Sequence, residues 1–136
     1  MIIAINDNRK LYAVQEEFTQ QFPFLKLEFF SKPSKPGAGS SKKIIGHSSK
    51  TIGECRTIHD NGNISISPEM TVTELEQRFS DVYGLHVQLL RKAGNVWLET
   101  SVTDGWTLSE QNRQGETLSK DLHQVNSKSE QNQNKD

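Results

Sequence analysis

Cysteine is nearly absent from this chain: Cys55 stands alone among 136 residues. That excludes an internal disulfide framework, and a single thiolate cannot supply a multi-thiolate zinc site. Apolar material is also scarce, with 32% hydrophobic residues, 7% aromatics and a mean hydropathy of −0.69, so a core requires careful placement of what there is. No apolar run approaches the roughly 18–20 residues that cross a bilayer. Met1-Ile2-Ile3-Ala4-Ile5 meets Asn6-Asp7 before a secretory-length stretch develops. Neither sign of charge dominates: 16 Lys+Arg face 17 Asp+Glu, a net of −1. This balance excludes a strongly basic nucleic-acid packager and a wholly acidic disordered chain. The length suits one compact domain, and the composition reads as a soluble cytoplasmic protein of a reducing compartment.

What is present is an internal repeat. Ile3-Ala4-Ile5 and Ile64-Ser65-Ile66 share an apolar–small–apolar alternation 61 residues apart. Leu11, Val14, Phe18 and Phe22 recur at spacings of three, four and four, and Val72, Leu75, Phe79 and Tyr83 repeat those spacings at the same displacement. Both series draw an apolar stripe along one face of a helix. Leu25-Lys-Leu27-Glu-Phe29-Phe30 then matches Leu85-His-Val87-Gln-Leu89-Leu90 at an offset of 60, each an alternating strand. Thr51-Ile-Gly-Glu54 matches Thr107-Leu-Ser-Glu110, and both have the Thr-x-x-Glu form of a capping box.

The repeated unit is strand, amphipathic helix, strand, a further strand and a short helical turn, with copies at about 1–56 and 62–113. The further strand is Val96–Val102 in the second copy, reached through a hairpin turn at Lys92-Ala-Gly94-Asn95; its counterpart is Lys43-Ile44-Ile45. The second helix has Thr71 or Thr73 as N-cap and Gly84 for a left-handed exit. Asn61-Gly62 predicts a tight turn between the copies. A β-α-β connection normally crosses right-handed between parallel strands. The expectation is therefore an α+β domain over 1–113, with one mixed sheet, both helices on one face and a single fused core that includes Val96 and Leu98. Residues 114–136 carry only Leu118, Leu122 and Val125 as aliphatics, and predict a polar, largely disordered tail.

Little in the chain points to catalysis. Cys55, His59 and Asp60 are close in sequence, but an extended chain holds residues four apart some 13 Å from each other, too far for a thiolate–imidazole pair. A metal site would need further ligands from His47, His86 or a carboxylate, and no spacing motif supports one. His86 alternates with Leu85 and Val87 and predicts a surface position; His123 lies in the tail. Gly37-Ala-Gly39 lacks the strand and long helix that frame a phosphate loop. No catalytic residue, cofactor or metal is assigned.

Two binding readings remain. On the sheet face away from the helices, Phe30, Leu90 and Trp97 are positioned to form an apolar platform for a protein partner or for self-association. The alternative is a nucleic-acid-associated role for residues 31–50, where Lys32, Lys35, Lys42, Lys43 and Lys50 occur with no acid. That segment has no arginine for base edges and no aromatic for stacking. Residues 1–60 carry net +3 and residues 61–113 net −3, so the two halves are electrostatically opposite. The runs Phe22-Pro-Phe-Leu-Lys-Leu-Glu-Phe-Phe30, Gly94-Asn-Val-Trp-Leu-Glu99 and Trp106-Thr-Leu-Ser-Glu-Gln111 resemble a group of small bacterial proteins with no assigned activity. The resemblance implies a compact α+β domain and carries over no site residue.

Overall fold

The computed structural model describes residues 1–31, 44–45 and 49–133, with side chains of the last helix described as far as residue 120. In chain order the elements are β1 (Ile2–Ile5), α1 (Leu11–Gln21), β2 (Leu25–Phe30), a 3-10 turn (Gly53–Cys55), β3 (Gly62–Ser65), α2 (Val72–Tyr83), β4 (His86–Ala93), β5 (Val96–Glu99) and α3 (Leu108–Gln133). The fold is α+β. The described strands form two antiparallel sheets, β1-β3 and β2-β4-β5, rather than the one mixed sheet that the repeat predicts. The reason lies in the pairing. α1 and α2 each connect strands that belong to different sheets, so the right-handed parallel crossover never arises. Instead β1 pairs with β3 and β2 with β4, placing Ile3 opposite Ile64 and Glu28 opposite Gln88.

The helices form where the stripes predict them. Leu11, Val14 and Phe18 on α1, and Val72, Leu75, Phe79 and Tyr83 on α2, are buried together with Leu25, Leu27, Phe29, Val87 and Leu89 in one core. Thr71 is the N-cap of α2, its hydroxyl accepting from the Glu74 N–H at 3.2 Å, and Gly84 leaves the helix at φ 64°. Such a left-handed exit costs a side-chain-bearing residue more than glycine. The Thr51 box closes fully, with Glu54 N–H on the Thr51 hydroxyl and Thr51 N–H on the Glu54 carboxylate.

Three expectations give way to tertiary packing. Val96 and Leu98 are 55% and 42% exposed, because the helices cover β2 and β4 and stop short of β5. Gly62 begins β3 without a positive φ; its lack of a Cβ instead admits the Tyr83 hydroxyl, which would lie 2.7 Å from one. Ile52, Met70 and Leu108 also belong to the core. The last helical turn is the start of α3, which runs through position 113 to Gln133. Its buried side is Leu108, Gln111 and Gly115, with Gly115 seated on Phe24 and Arg91, so it carries little of the aliphatic periodicity that announces a packed helix. Among the described residues, no helix is long and apolar enough to cross a membrane.

Candidate functional site

The β2-β4-β5 sheet has two unlike faces. Alternation puts Leu25, Leu27, Phe29, Val87, Leu89 and Arg91 on the face that the helices cover. The three helices meet the sheet there: Gln15 of α1 donates to the Leu27 carbonyl, Glu76 of α2 accepts from the Leu89 N–H, and Gln111 of α3 accepts from Arg91. The opposite face carries Lys26, Glu28, Phe30, His86, Gln88, Leu90, Lys92, Trp97 and Glu99, by the register of the paired strands. Phe30, Leu90 and Trp97 are all half-buried and all lie on this second face.

They do not form one patch. Lys92 is opposite Trp97 and Leu90 opposite Glu99, so Leu90 and Trp97 are diagonal neighbours. Phe30 is opposite His86, four residues along β4 from Leu90, and at strand rise this separates the two by about 13 Å. Glu28 and Gln88 lie between. Trp97 is the better defined anchor: the Lys26 and Lys92 ammonium groups lie 5.1 and 5.9 Å from its ring centroid. Lys26 also pairs with Glu28 at 3.0 Å. Each ammonium over an indole at a partly exposed site contributes about 0.5–1 kcal/mol, while the lysine stems shield part of the ring. The result is an aromatic anchor already held in one orientation.

Where β5 ends, the edge of β4 is sealed by side chains. The buried Thr100 hydroxyl donates to the Leu89 carbonyl at 2.8 Å, and Glu76 takes the Leu89 N–H at 3.1 Å. The strand expected over Val96–Val102 thus ends at Glu99, and the bonds of Thr100 and Glu76 to Leu89 have no signal in the local sequence pattern.

Cys55 lines a cleft of about 310 Å³ together with Lys50, Glu54, Arg56 and His86. Burial pushes its thiol up from the ordinary value, and the weaker pull of Lys50 does not reverse this. A raised thiol is mostly protonated at neutral pH and is a poor nucleophile. His59 is turned elsewhere: its Nδ1 lies 2.8 Å from Asp7 Oδ2. Asp7 Oδ1 accepts from Arg56 Nε and Nη2 at 3.0 and 2.8 Å, and Arg56 Nη1 donates to the Tyr83 carbonyl at 3.1 Å. The Arg56 side chain is 0% exposed. Its hydrogen bonds hold the Asp7 carboxyl below the usual carboxylate value; partial desolvation opposes this, and the His59 bond adds to it. The group ties the β1–α1 loop to the segment joining the halves.

His86 is half-buried and lines both this cleft and a second one of about 250 Å³ beside α2, so the surface position expected for it is only partly realised. Among the described residues, no group of three or more His, Cys, Asp or Glu side chains is arranged to hold a metal ion. Lys50 is exposed. Lys32, Lys35, Lys42 and Lys43 lie outside the described residues, as does His47. No protein-family model matches the chain, and comparison with curated proteins and with solved structures finds no match.

Proposed function

We propose that this protein is a non-enzymatic interaction module that presents the outer face of its three-stranded sheet to a protein partner. One observation carries the reading: every described helix contacts the inner face, while the outer face keeps Trp97 pinned by two lysines beside Leu90. An aromatic fixed in place loses little conformational freedom on binding, which is why tryptophan is over-represented among residues that dominate interface energies. The surrounding charges, Lys26, Lys92, Glu28 and Glu99, form a polar rim of mixed sign.

The test is differential capture from the native host with the wild-type chain, Leu90→Lys, Trp97→Lys and the control Val82→Lys, whose site on α2 is exposed. A partner retained by the wild type and the control but lost by the two sheet-face variants supports the reading. A partner retained by all four refutes it. Binding to generic RNA or DNA that collapses as salt is raised would move the function to the lysine segment 31–50.

The same reading takes the chain as two duplicated units facing each other across a pseudo-twofold. Three sets of equivalent contacts support this. Ile52 N–H bonds to Arg9 carbonyl as Leu108 N–H does to Met70; Leu11 N–H bonds to Lys50 as Val72 N–H does to Trp106; and the bridge Lys10–Thr51 has its counterpart in Thr71–Thr107. The bridge of Ile44 to the free side of β2 corresponds to β5 on the free side of β4.

A further inference from the structure

We propose that the open edge of β5 is the docking site for a second copy of this chain, joined strand to strand with Trp97 opposite Trp97. It concerns the edge of the sheet, and stands apart from the use proposed for its outer face.

The backbone supplies the first argument. Ala93 and Val96 flank a two-residue turn in which Gly94 has φ 66°, so they form the hydrogen-bonded pair that closes the hairpin. Antiparallel pairs alternate, and Lys92 opposite Trp97 is therefore a pair without mutual hydrogen bonds. The contacts agree: the Lys92 N–H turns away from β5 to the Phe24 carbonyl at 2.9 Å. Trp97 thus directs its own N–H and C=O away from β4, toward the open side. Among the described residues β5 is the outermost strand there, and it has neither the lysine nor the proline that commonly protects an edge. The edge of β4 just beyond, by contrast, is closed by Thr100 and Glu76.

The second argument is self-complementarity. A twofold axis through Trp97 pairs Trp97 with Trp97, Val96 with Leu98 and Asn95 with Glu99. This unites the exposed Val96 and Leu98 of both copies into one apolar strip on the helix-side face. It sets Glu99 against a neutral amide rather than another acid, so no like charges meet. Registers shifted by two residues also keep the inner faces on one side, but they carry Leu98 or Val96 past the end of the partner strand, so the Trp97-centred register keeps both of these residues paired within β5. The arrangement repeats what the chain does internally, where equivalent residues sit at the centre of antiparallel pairs, Ile3 opposite Ile64 and Glu28 opposite Gln88. Symmetric pairs of this kind are the commonest form of self-association.

Sedimentation equilibrium of the full chain from micromolar to millimolar concentration tests the proposal. The wild type should approach twice its 15.4 kDa, and Val96→Lys should stay at that single mass while keeping the thermal midpoint that the wild type shows at low micromolar concentration, where it too is monomeric. Val82→Lys should behave as the wild type. A second experiment reads the register. In a Cys55→Ser background, Trp97→Cys should oxidise to a covalent dimer, since the Cα separation of about 5.5 Å in a hydrogen-bonded pair suits a disulfide. Glu99→Cys, about four residues out of register with its own copy and so some 13 Å away, should not. A wild type that remains monomeric throughout overturns the proposal. So does a dimer that Val96→Lys leaves intact, or cross-linking through Glu99→Cys as readily as through Trp97→Cys.

Discussion

Phe79 offers the sharpest test of the architecture. It is fully buried on α2, and its ring meets Phe29 of β2 edge-on, with centroids 6.2 Å apart and planes at 88°. Truncation to alanine removes on the order of 150 Å² of buried apolar surface, about 4 kcal/mol at 25 cal/mol per Å². Loss of the edge-to-face contact adds about 1 kcal/mol. The sum lies at the upper end of the roughly 3–5 kcal/mol usual for a buried phenylalanine. Set against the roughly 5–15 kcal/mol that stabilises a domain, Phe79→Ala should leave the protein close to unfolding at room temperature. Phe79→Leu keeps most of the volume, should cost about 1–2 kcal/mol, and provides a variant that remains folded. The consequence specific to this fold is where the loss is felt. Because β2 pairs with β4 and β1 with β3, no half can open without breaking strand pairs of the other. Hydrogen exchange on Phe79→Leu should show the amides of β1 and α1 losing protection in step with those of α2 and β4, within one cooperative transition. If residues 62–93 opened while β1 and α1 kept wild-type protection, the halves would be independent and the fused core would be refuted.

Other expectations follow from single sites. Asp7 has its carboxyl held low by Arg56, so its contribution to stability is present at and above the ordinary carboxylate pKa and is lost as pH falls through its depressed value. Urea midpoints measured from neutral to acid pH should fall there for the wild type, and Asp7→Asn should start lower and flatten that limb; an unchanged acid limb would remove Asp7 from it. Cys55, with its thiol raised by burial, should alkylate at neutral pH more slowly than a free thiol in a small peptide, and rapid labelling would contradict the burial argument. Gly115→Ala sets helix propensity against packing. Alanine gains about 1 kcal/mol in a helix, but its Cβ would lie 2.8 Å from Phe24 Cβ and 3.1 Å from the Phe24 carbonyl oxygen. Overpacking of about 1–3 kcal/mol should prevail, and a raised thermal midpoint would show that β2 and α3 yield easily. Thr107→Ala removes the hydroxyl that accepts the Glu110 N–H at 3.1 Å, and should cost about 0.5–2 kcal/mol in a denaturant melt.

What the amino-acid order determined by itself is the part governed by local periodicity. The stripes of α1 and α2, the alternation of β2 and β4, the Thr71 cap and the Gly84 exit each depend on residues within a few positions of one another, and each occurs where the pattern puts it. The shared face of Phe30, Leu90 and Trp97 was legible for the same reason, since strand alternation is local. Their separation was not: it depends on the register between β2 and β4, which brings Phe30 opposite His86. Strand partners were likewise a tertiary decision. A strand's side-chain pattern says which face is apolar but not whether its neighbour runs parallel or antiparallel, and here β1 pairs with β3 and β2 with β4, both antiparallel. The same holds for α3, packed through Gly115 where aliphatic periodicity gives no signal, and for Asp7, brought to Arg56 and His59 across separations of 49 and 52 residues. Charged and polar side chains are soluble in any conformation. Only the burial of Arg56 by the surrounding fold makes its carboxylate partner necessary, because a guanidinium removed from water must regain in hydrogen bonds what it loses in hydration.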